Sequence, residues 1–347
     1  MAGMPFLSSA TFVSSAPSAT LHLPHPPLAG ATPPVQSSGM SRHPEQLPRI
    51  ARRLAWEDID PAWIRRLLEM ARAEDLAGEG LRIRPEKPGD ATSALLAPGL
   101  RGKARVVARK AMVPAGLGII QPCLDAFGGA CRATLRARDG EAVAAGASLA
   151  EVEGSVAALL GAERTLLNFL QRLSGVATHT RAHVAALGNS AVRLLDTRKT
   201  TPGFRALEKY AVGMGGGWNH RLGLHDRVMV KDNHLAAEGA TTGDRLAATV
   251  ARARKARKDL LVEVEVDRAD QIDPVLAAGA DIVLLDNFAA AELPAAIAKV
   301  KASAWCEVSG GVSLATLPAL AALGPDFISC GALTHAAPWA DIGLDWE

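Results

Sequence analysis

Six short runs of β-branched and aliphatic residues recur in the second half of the chain, and stretches long enough for a helix separate them. The runs are Val192–Leu195, Val228–Val230, Leu261–Val266, Ile282–Leu285, Cys306–Val308 and Phe327–Ile328. Helical stretches lie between several of them, at Gly243–Lys255, Ala289–Lys301 and Ala315–Leu323. Strands that alternate with helices predict a parallel sheet. Six such units favour a closed or nearly closed α/β barrel, and an open doubly wound sheet is the alternative.

The residues before this region have a different pattern. Apolar residues recur at helical spacing in Trp56–Ala73 and again in Glu163–Leu173, where Arg164 falls on the polar face. Strand-like alternation occurs at Arg105–Arg109 and Ala130–Arg138. This part of the chain is therefore predicted to be an α+β domain.

The first 44 residues are rich in Ser, Ala and Pro, and the first acidic residue is Glu45. Such a composition predicts a disordered or mis-started extension, because it cannot offset the entropy of ordering a packed core. Met40 is a candidate for the true start. A plastid transit peptide, Ser-rich and acid-poor, is the alternative, although no Arg precedes Arg42.

Charge and cysteine usage exclude several classes of partner. The formal net charge of the 347 residues is +2, so the overall charge does not predict binding to nucleic acid or to an acidic membrane. No apolar run reaches the roughly 18 residues of a membrane span. The four cysteines form no CxxC pair and no metal-ligand spacing, which predicts buried thiols in a reducing cytoplasm.

Polar or glycine residues follow five of the six runs, and two glutamates lie within the remaining run, Leu261–Val266. They are Asp196–Lys199, Lys231–His234, Glu263 with Glu265, Asp286 with Asn287, Ser309–Gly311 and Ser329–Gly331. In a βα barrel the carboxyl ends of the strands converge on one face, where active sites lie. The sequence thus predicts a ring of charged residues and glycines around one opening.

Cations dominate this predicted ring. Because Arg and Lys bind carboxylates and phosphates, their accumulation predicts an anionic ligand. Ion pairing with Asp196, Asp226 and Asp232 is the alternative for each cation. The cations concerned are Arg198, Lys199, His220, Arg221 and Lys231.

The carboxylates of the ring have three candidate roles. Glu263, Glu265 and Asp286 could bind Mg²⁺ through water, hold ribose hydroxyls or stabilise a cationic transition state, and Glu263 could equally belong to a structural ion pair. The late loops at Ser309–Gly311 and Gly331 offer backbone amides to an anion, the first leading into a helix. The histidines fit no metal-binding spacing, and the chain contains neither GxxxxGK[ST] nor GxGxxG.

Several of these segments together resemble the quinolinate phosphoribosyltransferase family. They occur in that family's order and close to its spacing, and the resemblance runs from about residue 54 to 347. The segments are Glu163–Gln171, Asp196–Gly203, Gly215–Arg221, Lys231–His234, Val262–Glu265 and Leu284–Phe288.

The resemblance implies a fold, an activity and an assembly. It implies an N-terminal α/β sandwich over residues 45–175, to which residues 335–347 return, and an incomplete α/β barrel of the type II phosphoribosyltransferase kind over 176–334. The implied reaction joins quinolinate to phosphoribosyl pyrophosphate with Mg²⁺, releasing pyrophosphate and CO₂ and giving nicotinate mononucleotide for NAD synthesis. The family assembles as a homodimer with shared active sites, and higher oligomers remain open.

The resemblance also assigns roles to residues. Thr197, Arg198, His220, Arg221 and Lys231 are expected to bind quinolinate, and Arg164 is expected to reach in from the partner subunit. Lys199, Glu265 and Asp286 are expected to act at the ribose and pyrophosphate. The phosphate-binding residues are expected to be Ser309, Gly310, Gly311 and Gly331.

One departure and two rival functions stand beside this interpretation. About a dozen residues, 77–88, intervene between Leu76 and the Gly89–Asp90 turn, which normally follows closely. This insertion puts the local geometry of the first domain in doubt, but not the chemistry. The rivals are a paralogue acting on another anionic aromatic substrate and a non-catalytic anion-binding barrel.

Overall fold

The structure is a computed structural model that describes residues 43–128 and 130–347. The predicted extension over residues 1–44 lies almost wholly outside these residues. The strands are β1 Arg101–Ala108, β2 Arg132–Leu135, β3 Ser148–Ser155, β4 Arg193–Leu195, β5 Val228–Val230, β6 Val262–Val266, β7 Ile282–Asp286, β8 Trp305–Ser309, β9 Phe327–Ser329 and β10 Ile342–Trp346. The α-helices are α1 Leu47–Ile50, α2 Pro61–Ala77, α3 Ile120–Phe127, α4 Val156–Ala186, α5 Arg205–Met214, α6 Asp232–Ala237, α7 Gly243–Ala256, α8 Ile272–Ala277, α9 Leu293–Lys301, α10 Leu317–Ala322 and α11 Ala332–His335.

Two sheets organise the chain, which is an α/β fold. Four antiparallel strands lie in the order β10-β1-β3-β2, and six parallel strands lie in the order β4-β9-β8-β7-β6-β5. Within the described residues the parallel sheet does not close, since β4 and β5 are its two edges. Trp218 adds a single parallel bridge to Leu195 at one edge. The barrel is therefore incomplete.

The last strand, β10, belongs to the antiparallel sheet although it follows the parallel one in sequence. It pairs with β1, with Ala104 opposite Trp346. The long helix α4 joins the two regions without a break at residue 175. Its Gly175 allows a close approach, because a Cβ there would lie 2.1 Å from the carbonyl oxygen of Pro338.

The first helix of the α+β region begins later than predicted. Trp56–Asp58 forms a separate 3₁₀ turn, and α2 starts at Pro61. Asp60 caps it by accepting a hydrogen bond from the backbone N–H of Ala62 at 2.9 Å, and proline suits the first helical position. The helix also continues to Ala77 and ends at Gly78, whose φ of +61° is left-handed.

Ala77 of the insertion ends α2, and residues 78–88 form an irregular surface loop whose ends meet. The backbone N–H of Gly89 donates to the carbonyl of Leu76 at 2.8 Å. Inside the loop Arg84 pairs with Glu79. Because the loop closes on itself, the chain resumes its course near the point where it left.

The amino-terminal end of the parallel sheet is covered by α1. Ile50 packs with Trp305 and Phe327 in a compact apolar cluster. The Arg227 guanidinium donates to the Ile50 carbonyl at 2.6 Å, which ties this helix to the segment preceding β5. One end of the sheet is thus sealed, and the carboxyl ends of the strands remain available for a site.

No helix within residues 43–128 and 130–347 combines the length and the apolar character that crossing a bilayer requires.

Candidate active site

A cavity of about 660 Å³ lies at the carboxyl ends of the parallel strands. The strands and the loops that follow them supply its walls, as expected for a parallel α/β architecture. Nearly all the predicted site residues line it together. They are Thr197, Arg198, Lys199, His220, Arg221, Lys231, Glu265, Asp286, Ser309, Gly310, Gly311 and Gly331.

Arg164 is the exception among the predicted residues. It is exposed on α4 and does not line this cavity. Its neighbours on the helix, Thr165 and Asn168, line an adjacent groove of about 680 Å³. A single chain therefore brings the strand-end residues together but leaves Arg164 outside.

Two of the three aspartates that were alternative partners for the cations, Asp196 and Asp226, pair elsewhere. Asp196 is fully buried and binds the buried ammonium of Lys209, while its second oxygen accepts a hydrogen bond from Asn219 at 2.9 Å. Asp226 pairs with Arg52 at 3.0 Å. Because these carboxylates are already satisfied, they do not neutralise the cations of the cavity.

Three of the cavity cations have no acidic partner within the described part of the chain. They are Arg198, Lys199 and Arg221. The buried Nε of Arg198 has no hydrogen-bond partner there either. Burial lowers the pKa of Arg221, which shows that its charge has been withdrawn from water. Such cations favour binding of an anion.

Lys231 and Glu265 form a close ion pair at the cavity wall. Burial raises the pKa of Glu265 against the effect of Lys231, and the negative charges of Asp286 and Asp232 add to the rise. Glu265 and Asp286 are thus near neighbours on β6 and β7. Their carboxylate oxygens are ligands of the type that Mg²⁺ prefers, and they can accept hydrogen bonds from ribose hydroxyls.

A buried ionic network lies beneath these groups. The Nε2 of His220 is 3.1 Å from Glu263 and 3.4 Å from Glu307, and Arg227 binds the other oxygen of Glu263 at 2.7 Å. Burial opposes charge on His220, but Glu263 and Glu307 raise its pKa to about 9. His220 and Arg227 hold the pKa of Glu263 below its usual range despite burial.

The same network contains ligand types that a metal ion could bind. Across residues 43–128 and 130–347, His220, Glu263 and Glu307 are the group whose ligand atoms lie within 4.8 Å of one another. However, Arg227 already binds one oxygen of Glu263, and the backbone N–H of Arg221 donates to Nδ1 of His220 at 2.7 Å. These partners are those of an ion network, so the structure supports Glu263 as an ion-pair member.

The glycine loop after β8 is shaped by a close approach. A Cβ at Gly310 would lie 2.1 Å from Oδ1 of Asn287, and φ at Gly310 is +89°. Asn287 in turn donates its backbone N–H to Ser309 at 3.1 Å. The helix expected from Ala315 begins at Leu317 and has only six residues. The anion-binding capacity of the loop therefore rests on its own amides.

Sequence reasoning missed two further residues of the cavity. Glu307 is fully buried in β8 yet reaches the cavity, and His335 of α11 lines both the cavity and the adjacent groove. A glutamate within an otherwise apolar strand was a usable signal for Glu307. No sequence pattern indicated His335, because folding brings this residue to the site from a distant part of the chain.

The chain is similar to known proteins in both of its regions. Residues 90–174 match the sequence profile of the N-terminal domain of quinolinate phosphoribosyl transferase, and residues 176–345 match that of its C-terminal domain. A probable nicotinate-nucleotide pyrophosphorylase [carboxylating] of Bacillus subtilis is 40% identical over 258 residues, covering 74% of this chain and 88% of the relative. The nicotinate-nucleotide pyrophosphorylase [carboxylating] of Mycobacterium leprae is 42% identical, covering 69% and 84%.

A solved structure agrees with these relatives. The nicotinate-nucleotide pyrophosphorylase of Francisella tularensis superposes with a TM-score of 0.76 at 36% identity, covering 83% of this chain and 98% of its own. Both regions of the chain match one family. This chain belongs to the quinolinate phosphoribosyl transferase family.

Proposed function

We propose that this chain catalyses the transfer of the phosphoribosyl group of phosphoribosyl pyrophosphate to quinolinate, followed by decarboxylation to nicotinate mononucleotide. The observation that carries the proposal is the cavity in which Arg198, Lys199 and Arg221 have no acidic partner among the described residues. Quinolinate is a dianion, and phosphoribosyl pyrophosphate is more highly charged. A cavity with this excess of cations suits both substrates.

Arg198, Arg221, Lys231 and His220 bind the two carboxylates of quinolinate in this proposal, and Thr197 supports them. The guanidinium groups can each donate two parallel hydrogen bonds to a carboxylate. The hydroxyl oxygen of Thr197 also accepts a hydrogen bond from the backbone N–H of Lys199 at 3.0 Å, which fixes the turn after β4. The pyridine ring is thereby held with its nitrogen free to react.

The transfer step moves the phosphoribosyl group between two partners. The bond from C1′ to the pyrophosphate oxygen breaks as a bond from the pyridine nitrogen to C1′ forms. Lys199 stabilises the negative charge that develops on the departing pyrophosphate. Glu265 and Asp286 lie where their carboxylates can face the positive charge that develops on the ribose.

Glu265 and Asp286 would also hold Mg²⁺, which, when bound with the substrate, neutralises pyrophosphate charge. Their oxygen donors and mutual proximity fit this ion. Loss of CO₂ then needs little help from the chain. The nitrogen of the product is a pyridinium, so the electron pair left at C2 when the carboxylate departs is stabilised, and C2 takes up a proton.

The 5′-phosphate of the ribose is assigned to the late loops at Ser309–Gly311 and Gly331. A Cβ at Gly331 would lie 2.7 Å from the Lys199 side chain, so a glycine there keeps both the loop amides and the ammonium accessible. Main-chain N–H groups of such loops bind phosphate oxygens.

A second copy of the chain is proposed to complete the site. The groove beside the cavity is lined by Leu67, Met70, Phe169 and Trp339, and it shares Lys199 and His335 with the cavity. Met70 is 57% exposed and Trp339 56%. An apolar groove of this kind next to the site suits a partner subunit. Arg164, exposed on the rim of the same region, is the residue that would enter the partner's cavity.

The cytoplasm is the compartment proposed for this activity. The chain has four cysteines, of which Cys123 and Cys330 are free thiols. Three of them are buried, and burial raises the pKa of Cys123 to about 12, which keeps it unreactive. Unpaired cysteines are typical of reducing compartments.

The activity is tested by a substrate panel. Purified protein is given phosphoribosyl pyrophosphate and Mg²⁺ with quinolinate, nicotinate or phthalate, and nucleotide products are separated by chromatography. We expect nicotinate mononucleotide from quinolinate alone. Product from another aromatic acid in preference to quinolinate would favour a paralogous enzyme, and binding without product would favour a non-catalytic anion-binding protein.

A further inference from the structure

Glu307 is a buried carboxylate in the middle of β8 that reaches the active-site cavity. Neither of its oxygens has a hydrogen-bond partner among the residues that the structure describes. The nearest opposite charge is Nε2 of His220, 3.4 Å from Oε1. A buried carboxylate with so little compensation is unfavourable for folding, so a role in the site is the simplest reason for its presence.

His220 is surrounded by charged groups from several elements. The carboxylates of Glu263 and Glu307 face Nε2, and Asp196 accepts its backbone N–H at 2.8 Å. The groups that face or adjoin it are Glu263 of β6, Glu307 of β8, Arg227 before β5, Lys209 of α5, Asp196 after β4 and the neighbouring Arg221.

These carboxylates are not equivalent. Glu263 divides its charge between His220 and Arg227, which it binds at 2.7 Å. Glu307 has His220 as its single ion-pair partner in the described part of the chain. The charge of Glu307 therefore acts mainly on His220.

The other nitrogen of His220 faces a backbone donor. Nδ1 accepts the N–H of Arg221 at 2.7 Å, which is the arrangement of a neutral ring with its hydrogen on Nε2. Protonation of Nδ1 turns this acceptor into a donor, so the amide hydrogen bond must be given up before the ring N–H can bind a substrate carboxylate.

We propose that Glu307 is a positioning residue for quinolinate binding, which acts through His220 by favouring the cationic form of that side chain at the cavity wall. The inference rests on the proposed function and deepens it. Burial alone would neutralise the imidazole, whereas Glu263 and Glu307 together raise the pKa of His220 to about 9. Without the charge of Glu307, the pKa of His220 should fall.

The test is the isosteric variant Glu307→Gln, with the KM of each substrate measured between pH 6 and 9. Below the lowered pKa the variant should resemble the wild type. At pH 8.5 His220 is neutral in the variant and still largely cationic in the wild type. The KM for quinolinate should therefore rise roughly tenfold in the variant across this range, while the KM for phosphoribosyl pyrophosphate follows the wild type.

Asp281→Asn is the matched control. Asp281 is a buried carboxylate just before β7, at the opposite end of the same sheet, where it pairs with Arg254. This variant should lose stability without changing the pH dependence of the quinolinate KM. In a His220→Gln background, Glu307→Gln should add no further pH dependence.

Three results would overturn the proposal. They are a change in the variant's quinolinate KM that does not vary with pH, an equal effect on both substrates, and an undiminished effect in the His220→Gln background. Should Glu307→Gln fail to fold, the histidine ring carbons of the wild type are titrated by NMR. A His220 resonance that titrates below pH 7 would then refute the inference. Failure of the proposed function is recognised separately, because the wild type would form no product.

Discussion

Replacing Arg198 with alanine should weaken the use of quinolinate far more than the use of phosphoribosyl pyrophosphate. The guanidinium lines the cavity, and its buried Nε has no hydrogen-bond partner in the part of the chain that the structure describes. Truncating the Arg198 side chain should therefore cost the unliganded protein little stability. The loss should appear in the binding of quinolinate. A charge-assisted contact of this kind contributes about 2 to 3 kcal/mol.

That energy corresponds to a factor of roughly 30 to 150 in the KM for quinolinate. The assay is steady-state kinetics with each substrate varied at a saturating concentration of the other. Arg252→Ala is the matched control, because Arg252 is an exposed arginine that pairs with Glu238 away from the cavity. Equal losses for both substrates, or a loss no larger than that of the control, would refute the assignment of Arg198 to quinolinate.

Three further perturbations address the other parts of the site. Arg164→Ala and Lys231→Ala chains, each inactive alone, should regain partial activity when mixed, because one site in the heterodimer keeps both residues; isolated heterodimers without activity would contradict a shared site. Gly310→Ala should raise the KM for phosphoribosyl pyrophosphate several-fold with little change for quinolinate, since its Cβ would meet a neighbouring side chain at 2.1 Å; an unchanged KM would argue against the phosphate assignment. Removing divalent ions with EDTA should abolish activity and added Mg²⁺ should restore it, with Glu265→Gln needing more Mg²⁺; activity that is insensitive to EDTA would exclude the proposed ion.

The parallel sheet was predictable because βα units follow a local rule. Each predicted strand lies within about two residues of an observed one, as Leu261–Val266 does to β6 at Val262–Val266. The convergence of charged residues on one cavity followed from the same rule, since parallel strands bring their carboxyl ends together. The pattern of charges at strand ends thus contained most of the site.

Contacts between distant segments were not predictable in the same way. The helix expected at Glu163–Leu173 begins at Val156 and continues to Ala186, and its Gly175 packs against Pro338. Asp196 was a candidate partner for the cavity cations, but Lys209 of a later helix binds it instead. Both outcomes depend on packing between elements, which periodicity does not encode.

The role of single acidic residues was also beyond the sequence. Glu263 and Glu265 are two positions apart on one strand, yet one is fully buried beside Arg227 and the other pairs with Lys231 at the cavity wall. The two residues differ only in how deeply they are buried in the sheet. Glu307 was overlooked for the same reason, because its neighbours come from other strands.

The central claim is tested most directly by the stoichiometry of the reaction with quinolinate labelled in its 2-carboxylate. The protein is incubated with this substrate, phosphoribosyl pyrophosphate and Mg²⁺, and three products are measured. We expect nicotinate mononucleotide, pyrophosphate and labelled CO₂ in equal amounts, with none formed when phosphoribosyl pyrophosphate is omitted. Label retained in the nucleotide, or CO₂ released without phosphoribosyl pyrophosphate, would contradict the account.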